Sequence, residues 1–156
     1  MALLKPAEKD FWDLYLRSLH SEDIPKDSFV EASYAGTQDI TDKLLRLYLV
    51  GNKTAGSSLK EDFLSAGDPL PKVGNFWIIL NSKDEPKCIV KTIKIVENKF
   101  KDVPLGVAQA EGEGDLSLEY WRKVHTEFYS PFLKTWGVND IDDATVITEF
   151  FEVVYK

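Results

Sequence analysis

The sequence predicts an α+β fold, because segments of helical periodicity flank a middle part with the patterns of strands. With 156 residues, the chain fits one domain and can bury a core without the help of a disulfide or a metal. We expect a single domain over residues 1–156, in which several strands close into a small barrel. Residues 1–38 would form an N-terminal helix and loop extension, and residues 39–156 the core.

The first part of the chain carries two predicted helices. Residues 6–19 repeat large apolar side chains at four-residue spacing, which is typical of one helix face. Residues 20–38 contain turn-forming residues without a sustained period, so we expect a loop there. A second helix is predicted over residues 41–50, with Thr41 as its cap and Gly51 as its C-terminal stop.

The middle of the chain has the composition of strands separated by turns. Small and hydroxyl-bearing residues at 53–59 predict a strand on a crowded surface. A glycine- and proline-containing loop at 65–75 then leads into predicted strands at 76–80 and 87–96. Residues 103–110 are expected to form a short helix.

The C-terminal part begins with the clearest helix, predicted over residues 117–135 and ended by Gly137. Its apolar residues fall on one stripe, which we expect to face the core. The members of this stripe are Leu118, Trp121, His125, Phe128 and Phe132. Alternation over residues 144–155 predicts a long final strand.

Composition and charge exclude several classes of protein. Nineteen basic against 26 acidic residues give a formal net charge of −7, which argues against strong nonspecific DNA binding. No apolar run approaches the length needed to cross a bilayer, and the first residues lack the pattern of a secretory signal. We therefore expect a cytoplasmic protein that does not interact with membranes. The sequence does not indicate an oligomeric state.

Motifs for cofactors and metals are absent from the sequence. There is no phosphate-binding loop, no dinucleotide fingerprint and no zinc-protease helix motif. Cys88 is the single cysteine, and two histidines without a matching ligand pattern do not predict a zinc site. We expect no cofactor and no metal, and we interpret Cys88 as a small buried apolar residue.

An acidic run punctuated by glycines stands out, Glu111-Gly112-Glu113-Gly114-Asp115. Glycines permit backbone conformations that other residues resist and allow a ligand to approach closely. The carboxylates are suited to acid–base chemistry or to binding a hard cation. Alternatively, Glu113 and Asp115 only complement the N-terminus of the following helix.

Three segments together resemble the ASCH domain family, from about Asp39 to the end of the chain. They are Gly51-Asn52-Lys53-Thr54-Ala55, then Ala110-Glu111-Gly112-Glu113-Gly114-Asp115-Leu116-Ser117-Leu118-Glu119-Tyr120-Trp121-Arg122 with His125, and finally Phe150-Phe151-Glu152-Val153-Val154-Tyr155. The resemblance implies a PUA-like β-barrel with flanking helices, a fold associated with RNA and modified nucleosides. Some members of the family are amidohydrolases acting on N4-acetylcytidine, and others are reported to be ribonucleases.

The resemblance also implies catalytic residues. The amidohydrolase members use a lysine, a threonine three positions later and a glutamate, and here Lys53 and Glu111 match while Gly56 occupies the threonine position. On a regular strand Ser57 shares a face with Lys53, so Ser57 becomes the candidate nucleophile, activated by Lys53, with Glu111 handling the proton of the leaving group. A glycine within a strand is also typical of a bulge, which would redirect its neighbours.

Two functions follow as hypotheses. The first is a polar cleft that binds RNA or a modified nucleoside. The second is a hydrolase acting on N4-acylcytidine-type amides or on RNA through Lys53, Ser57 and Glu111. Both require Lys53 and Glu111 to lie within reach of an ion pair and to line a common pocket. The candidate ligand-binding residues are Tyr48, Thr54, Glu113, Asp115, Trp121 and His125.

Two of these candidates have a second interpretation. Trp121 either stacks on a base or packs in the core, and its place on the apolar stripe favours the core. His125 lies on the same stripe, where a hydrogen-bonded core histidine is the more common arrangement.

Overall fold

The computed structural model describes residues 3–156, which contain five α-helices and five strands. In chain order these are α1 (Pro6–Arg17), β1 (Val30–Tyr34), α2 (Thr41–Leu49), β2 (Ala55–Leu59), α3 (Lys60–Ala66), β3 (Phe76–Leu80), β4 (Pro86–Lys99), α4 (Leu105–Glu111), α5 (Leu118–Tyr129) and β5 (Thr145–Tyr155). The strands are hydrogen-bonded in the order β1-β3-β4-β5-β2. Strand β1 is parallel to β3, whereas the β3–β4 and β2–β5 pairs are antiparallel. The α+β, PUA-like fold predicted from the sequence is thus confirmed.

The chain divides into two compact units. The first comprises the chain up to Gly51 together with Val73–Ile93 and Phe151–Lys156, and the second comprises Asn52–Lys72 and Lys94–Phe150. The expected single domain over residues 1–156, with its core starting at residue 39, stays a prediction.

The core of the first unit is built on both faces of β3 and β4. Ile78 and Ile89 belong to the cluster that includes Tyr15 of α1, and Ile79 and Cys88 belong to the cluster that includes α2. Successive strand residues point to opposite faces, so a continuous apolar run is what a strand covered on both sides requires. Cys88 is fully buried, and burial raises the pKa of its thiol to about 12 despite the nearby positive charge of Lys156.

The core of the second unit lies between the β2–β5 pair and the helices α4 and α5. Leu59 of β2 and Val146 of β5 pack with Val107 of α4 and with Trp121 and Tyr129 of α5. All five side chains are at most 3% exposed. This packing fixes the positions of α4 and α5 relative to β2 within the unit.

Two elements of the structure differ from the sequence-based expectation in the first 70 residues. Residues 20–38 were expected to be a loop, but Val30–Tyr34 form β1, paired in register with β3 from Val30↔Phe76 to Tyr34↔Leu80. Strand β1 is stabilised by its pairing with β3, an apolar strand far along the chain, and the sequence of β1 alone does not indicate this pairing. The helix α3 at Lys60–Ala66 was not predicted.

Thr41 does not cap α2. Ile40 occupies the N-cap position, and Thr41 is fully buried as the first helical residue. Its hydroxyl donates to the Leu80 carbonyl at 2.7 Å and accepts the Ala35 backbone N–H at 2.9 Å. Thr41 therefore ties α2 to the ends of β1 and β3.

The helix α5 is shorter than predicted and is rotated relative to the predicted stripe. It ends at Tyr129, and the next turn, Ser130–Phe132, is a 3₁₀ helix that contains Pro131, which lacks the N–H a continuing helix needs. Phe128 and Phe132 are 40% and 46% exposed, whereas Tyr129 is buried. The buried face thus follows the spacing of Trp121, His125 and Tyr129. Between residues 3 and 156, no helix is long and apolar enough to cross a membrane.

Candidate functional site

The end of α4 packs directly against the chain that enters β2. The Thr54 backbone N–H donates to the Ala110 carbonyl at 2.7 Å. Gly112, at the C-terminus of α4, has φ of 69°, and a side chain there would place its Cβ 2.1 Å from the Asn52 carbonyl oxygen. Glycine is required both by this conformation and by this close approach. The contact brings Lys53 beside Glu111.

Glu111 is the centre of the site. Its side chain is buried, with the residue only 2% exposed. Oε1 lies 3.4 Å from both Lys53 Nζ and His125 Nε2. Oε2 accepts the Ser57 hydroxyl at 2.8 Å and also accepts the indole N–H of Trp121. Four partners therefore converge on one carboxylate, and the expected ion pair between Lys53 and Glu111 is present.

The surroundings of Glu111 determine its charge. Burial by itself raises the pKa of the carboxyl group, but the hydrogen bond and charge of His125, the charge of Lys53 and the Trp121 hydrogen bond together lower it to about 2. Glu111 is consequently ionised at neutral pH. A carboxylate in this state accepts hydrogen bonds but is not a proton donor.

Lys53 connects two carboxylates. Its ammonium group lies 2.9 Å from Glu113 Oε2 and 3.4 Å from Glu111 Oε1, and it also donates to the Glu111 backbone carbonyl at 3.4 Å. The Lys53 side chain is 5% exposed, whereas that of Glu113 is 19% exposed. Glu113 is thus bound to the ammonium group of the buried ion pair and is itself partly exposed to solvent. We use the name Glu111 network for Glu111 with Lys53, Ser57, Glu113, Trp121 and His125.

Two residues of the site were not found from the sequence. Thr148 of β5 pairs with Ser57 of β2, and their hydroxyl oxygens are 2.9 Å apart. Because Ser57 donates to the Glu111 carboxylate, Thr148 is the donor toward Ser57. The Tyr129 hydroxyl donates to the Ser57 carbonyl at 2.9 Å. Tyr129 follows Trp121 and His125 at helical spacing, and this pattern could have indicated Tyr129 from the sequence. Thr148 could be found only from the register of β5 against β2.

Gly56 does not mark a bulge. The β2–β5 register runs without a shift from Ala55↔Phe150 to Leu59↔Val146, and Gly56 pairs with Glu149. The regular strand supports the expectation that Ser57 turns toward the same network as Lys53.

The rings of Trp121 and His125 both lie against the Glu111 carboxylate. Their rings stack with centroids 4.1 Å apart and planes at 18°, and His125 Nδ1 lies 2.8 Å from the Trp121 carbonyl oxygen. That oxygen can only accept, so Nδ1 carries a proton. Trp121 is 3% exposed and packs on Phe100, which confirms the interpretation of Trp121 as a core residue.

The remaining candidates lie outside the network. Thr54 is exposed, and its hydroxyl donates to the Ala110 carbonyl at 3.2 Å. Asp115 is exposed and accepts the Ser117 backbone N–H at 2.9 Å. Its hydrogen bonds with the side chain and the backbone of Ser117, the N-cap residue of α5, lower the pKa of its carboxyl group. Tyr48 belongs to the first unit, where its ring packs edge-on against Phe151 at 6.0 Å. A ligand-binding role for these three residues stays a prediction.

The residues that the structure describes contain no group of three or more histidine, cysteine, aspartate or glutamate side chains placed to hold a metal ion. The expectation that the protein works without a metal or a cofactor stays a prediction.

The α+β, PUA-like fold of the chain is the fold of ASCH domain structures. The model of the ASCH domain family matches residues 31–155, so the chain belongs to this family, which is generally associated with RNA binding. The family resemblance seen in the sequence is confirmed.

Solved structures agree with this assignment. The chain is 28% identical to an ASCH domain from Lactobacillus crispatus, with a TM-score of 0.91 over 98% of this chain and 97% of that chain. It is also 28% identical to a protein from Enterococcus faecalis, with a TM-score of 0.80 over 96% of this chain and 88% of that chain. None of the curated proteins compared with the chain matches it.

Proposed function

We propose that this ASCH domain binds RNA or a modified nucleoside at the Glu111 network, and that Glu113 is the residue that contacts the ligand. One observation carries the proposal. The Glu113 carboxylate is held by Lys53 at 2.9 Å and is still partly exposed, whereas Glu111 is enclosed by its four partners. A carboxylate fixed in place at the surface can recognise a ligand without losing much side-chain entropy.

The charges of the network favour a base over a phosphate. A phosphate that approached the partly exposed edge of the network would meet the carboxylate of Glu113, whose negative charge repels it. Carboxylates instead accept hydrogen bonds from exocyclic amines, as they do from N4 of cytosine. We therefore assign to Glu113 the recognition of an amino group on a base, in line with the family's association with RNA.

Hydrolysis of an N4-acylcytidine-type amide is the second candidate, favoured by the 2.8 Å hydrogen bond from the Ser57 hydroxyl to Glu111. In this reaction Ser57 Oγ bonds to the acyl carbon, the C–N bond breaks, and the hydroxyl proton leaves with the amine through Glu111 and Lys53. Water then cleaves the resulting ester. A pKa of about 2 makes Glu111 a weak base, so we rank this candidate second.

The binding proposal is tested with cytidine, N4-acetylcytidine, uridine and a short single-stranded RNA, using calorimetry and fluorescence anisotropy. We expect the cytidine ligands to bind more tightly than uridine, which has no exocyclic amine. Glu113→Gln should weaken cytidine binding roughly 10- to 100-fold, because a hydrogen bond to a charged group contributes about 1.5–3 kcal/mol. The matched control is Glu119→Gln, an exposed carboxylate on α5, which should bind like the wild type.

Equal affinity of the wild type and Glu113→Gln for every ligand would contradict the binding proposal. In the same samples, chromatography of N4-acetylcytidine separates the two candidates. Turnover by the wild type that falls to background in Ser57→Ala, with binding retained, would support the hydrolase. Binding without turnover in the wild type would reject the hydrolase and leave the binding function.

A further inference from the structure

The turn that carries Glu113 also presents an apolar side chain to solvent. The Leu116 backbone N–H donates to the Glu113 carbonyl at 3.2 Å, so residues 113–116 form one tight turn, which we call the 113–116 turn. In such a turn the Cα atoms of the first and fourth residues lie within about 7 Å of each other. The Leu116 side chain is 44% exposed. A partly exposed carboxylate and an exposed leucine are thus neighbours at the two ends of this turn.

Leu116 adopts a backbone conformation that is unfavourable for leucine. Its φ is 67°, in the left-handed region that favours glycine. Because the side chain is exposed, the burial of apolar surface compensates little of this strain. The stability of the turn alone therefore does not explain a leucine at this position. Strained residues of this kind are frequent at sites that contact ligands.

The ring of Tyr120 lies on the same turn. A helical side chain leans toward the N-terminus of its helix, and for Tyr120, in the first turn of α5, this direction leads to the 113–116 turn. A side chain at Gly114 would place its Cβ 2.4 Å from Cε1, 2.5 Å from Cζ and 2.6 Å from Cδ1 of the Tyr120 ring. The ring therefore rests directly on the backbone of the turn, and only glycine permits this contact.

The Tyr120 ring remains accessible to a ligand. It is partly exposed, and among residues 3–156 no other aromatic ring packs on it and its hydroxyl group makes no hydrogen bond. The neighbouring Trp121 differs, because its ring is buried and stacks on His125. An aromatic ring that is fixed in place and still accessible is what the stacking of a base requires.

We propose that the base whose amino group is bound by Glu113 stacks on the Tyr120 ring and contacts the Leu116 side chain. This inference rests on the proposed function, since Glu113 provides the polar contact and the two other residues provide the apolar one. Bases that proteins recognise by hydrogen bonds at their edge are commonly held by aromatic and apolar side chains at their faces. In a duplex these faces are covered by the neighbouring bases. The ligand is therefore an unpaired base with an exocyclic amine, in a nucleoside or in a single strand.

The stacking contact is tested by NMR titration of cytidine with the full chain, observing H5 and H6 of the base. Stacking on an aromatic ring shifts these signals upfield in the bound state. Tyr120→Leu keeps an apolar side chain but removes the ring, so we expect a loss of affinity of roughly 5- to 100-fold together with a loss of the upfield shift. Tyr120→Phe keeps the ring and should retain both the shift and the affinity of the wild type.

Leu116→Gly separates ligand binding from stability. Glycine adopts a positive φ without strain, so the melting temperature should not fall, whereas the affinity for cytidine should fall by about fivefold with the loss of the apolar contact. The matched control is Asp27→Gly in the first unit, where Asp27 is another exposed residue with a positive φ, 54°. Asp27→Gly should bind cytidine like the wild type.

The outcomes distinguish this inference from the proposed function. Unchanged affinity in Tyr120→Leu and Leu116→Gly, together with weaker binding in Glu113→Gln, would overturn the inference and leave the proposed function intact. Equal affinity of the wild type and Glu113→Gln would contradict the proposed function itself. A lower melting temperature in Leu116→Gly would make Leu116 a structural residue and overturn its assigned contact. If Tyr120→Leu does not fold, the wild type decides, because H5 and H6 signals without an upfield shift would overturn the stacking.

Discussion

Glu111→Ala should lower the free energy of unfolding by about 3–5 kcal/mol, because it removes the anion from a buried ion pair. The Lys53 side chain is 5% exposed and that of His125 is 12% exposed, and both lie 3.4 Å from the carboxylate. Without Glu111, the Trp121 indole N–H and the Ser57 hydroxyl also lose their acceptor. Unpaired buried donors add to the loss in stability.

Urea denaturation followed by tryptophan fluorescence and by circular dichroism measures this effect. Glu127→Ala is the matched control, since Glu127 is an exposed carboxylate on α5, and its change should stay within about 0.5 kcal/mol. A loss below about 1 kcal/mol in Glu111→Ala would show that water replaces the carboxylate easily. The Glu111 carboxylate would then lie in an open polar cleft that water can enter, and not in an enclosed ion pair.

The fold was predictable where the local sequence determines the structure. The strand β3 has the predicted bounds, Phe76–Leu80, because its apolar run is bounded on both sides by turn-forming residues. The strand β1 has the sequence Val-Glu-Ala-Ser-Tyr, which alternates over only five residues, and its pairing partner lies more than 40 positions away. Pairing between distant segments depends on tertiary packing, which no local pattern of β1 contains.

The site was predictable to a similar degree. The pairing of Lys53 with Glu111 followed from the family resemblance, and the expectation that Ser57 lies on the same side as Lys53 followed from strand periodicity. The contact between Thr148 and Ser57 depends on the register of β5 against β2. A shift of one residue in that register would turn Thr148 to the other face, and the sequence of either strand alone does not determine the register. The rotation of α5, which buries Tyr129 and not Phe128, likewise follows from packing.

The stability of the protein should fall steeply in acid because of Glu111. The pKa of its carboxyl group is lowered from 4.5 to about 2 in the folded protein. A group whose pKa is depressed by folding stabilises the folded state above its unfolded pKa, and this contribution is lost as the pH falls through the folded pKa. From the two values, the folded state should lose about 3 kcal/mol between pH 5 and pH 2.

The measurement is the free energy of unfolding in urea at pH 7, 5, 4, 3 and 2 for the wild type and for Glu111→Gln, which cannot titrate at this position. Subtracting the two curves removes the contributions of the other carboxylates. We expect the difference to be constant from pH 7 to pH 5 and to shrink by about 3 kcal/mol toward pH 2. A difference that does not change with pH would mean that Glu111 titrates in the folded protein as it does in the unfolded chain. The partners around its carboxylate would then not stabilise the charge, and the buried ion pair with Lys53 would not exist in solution.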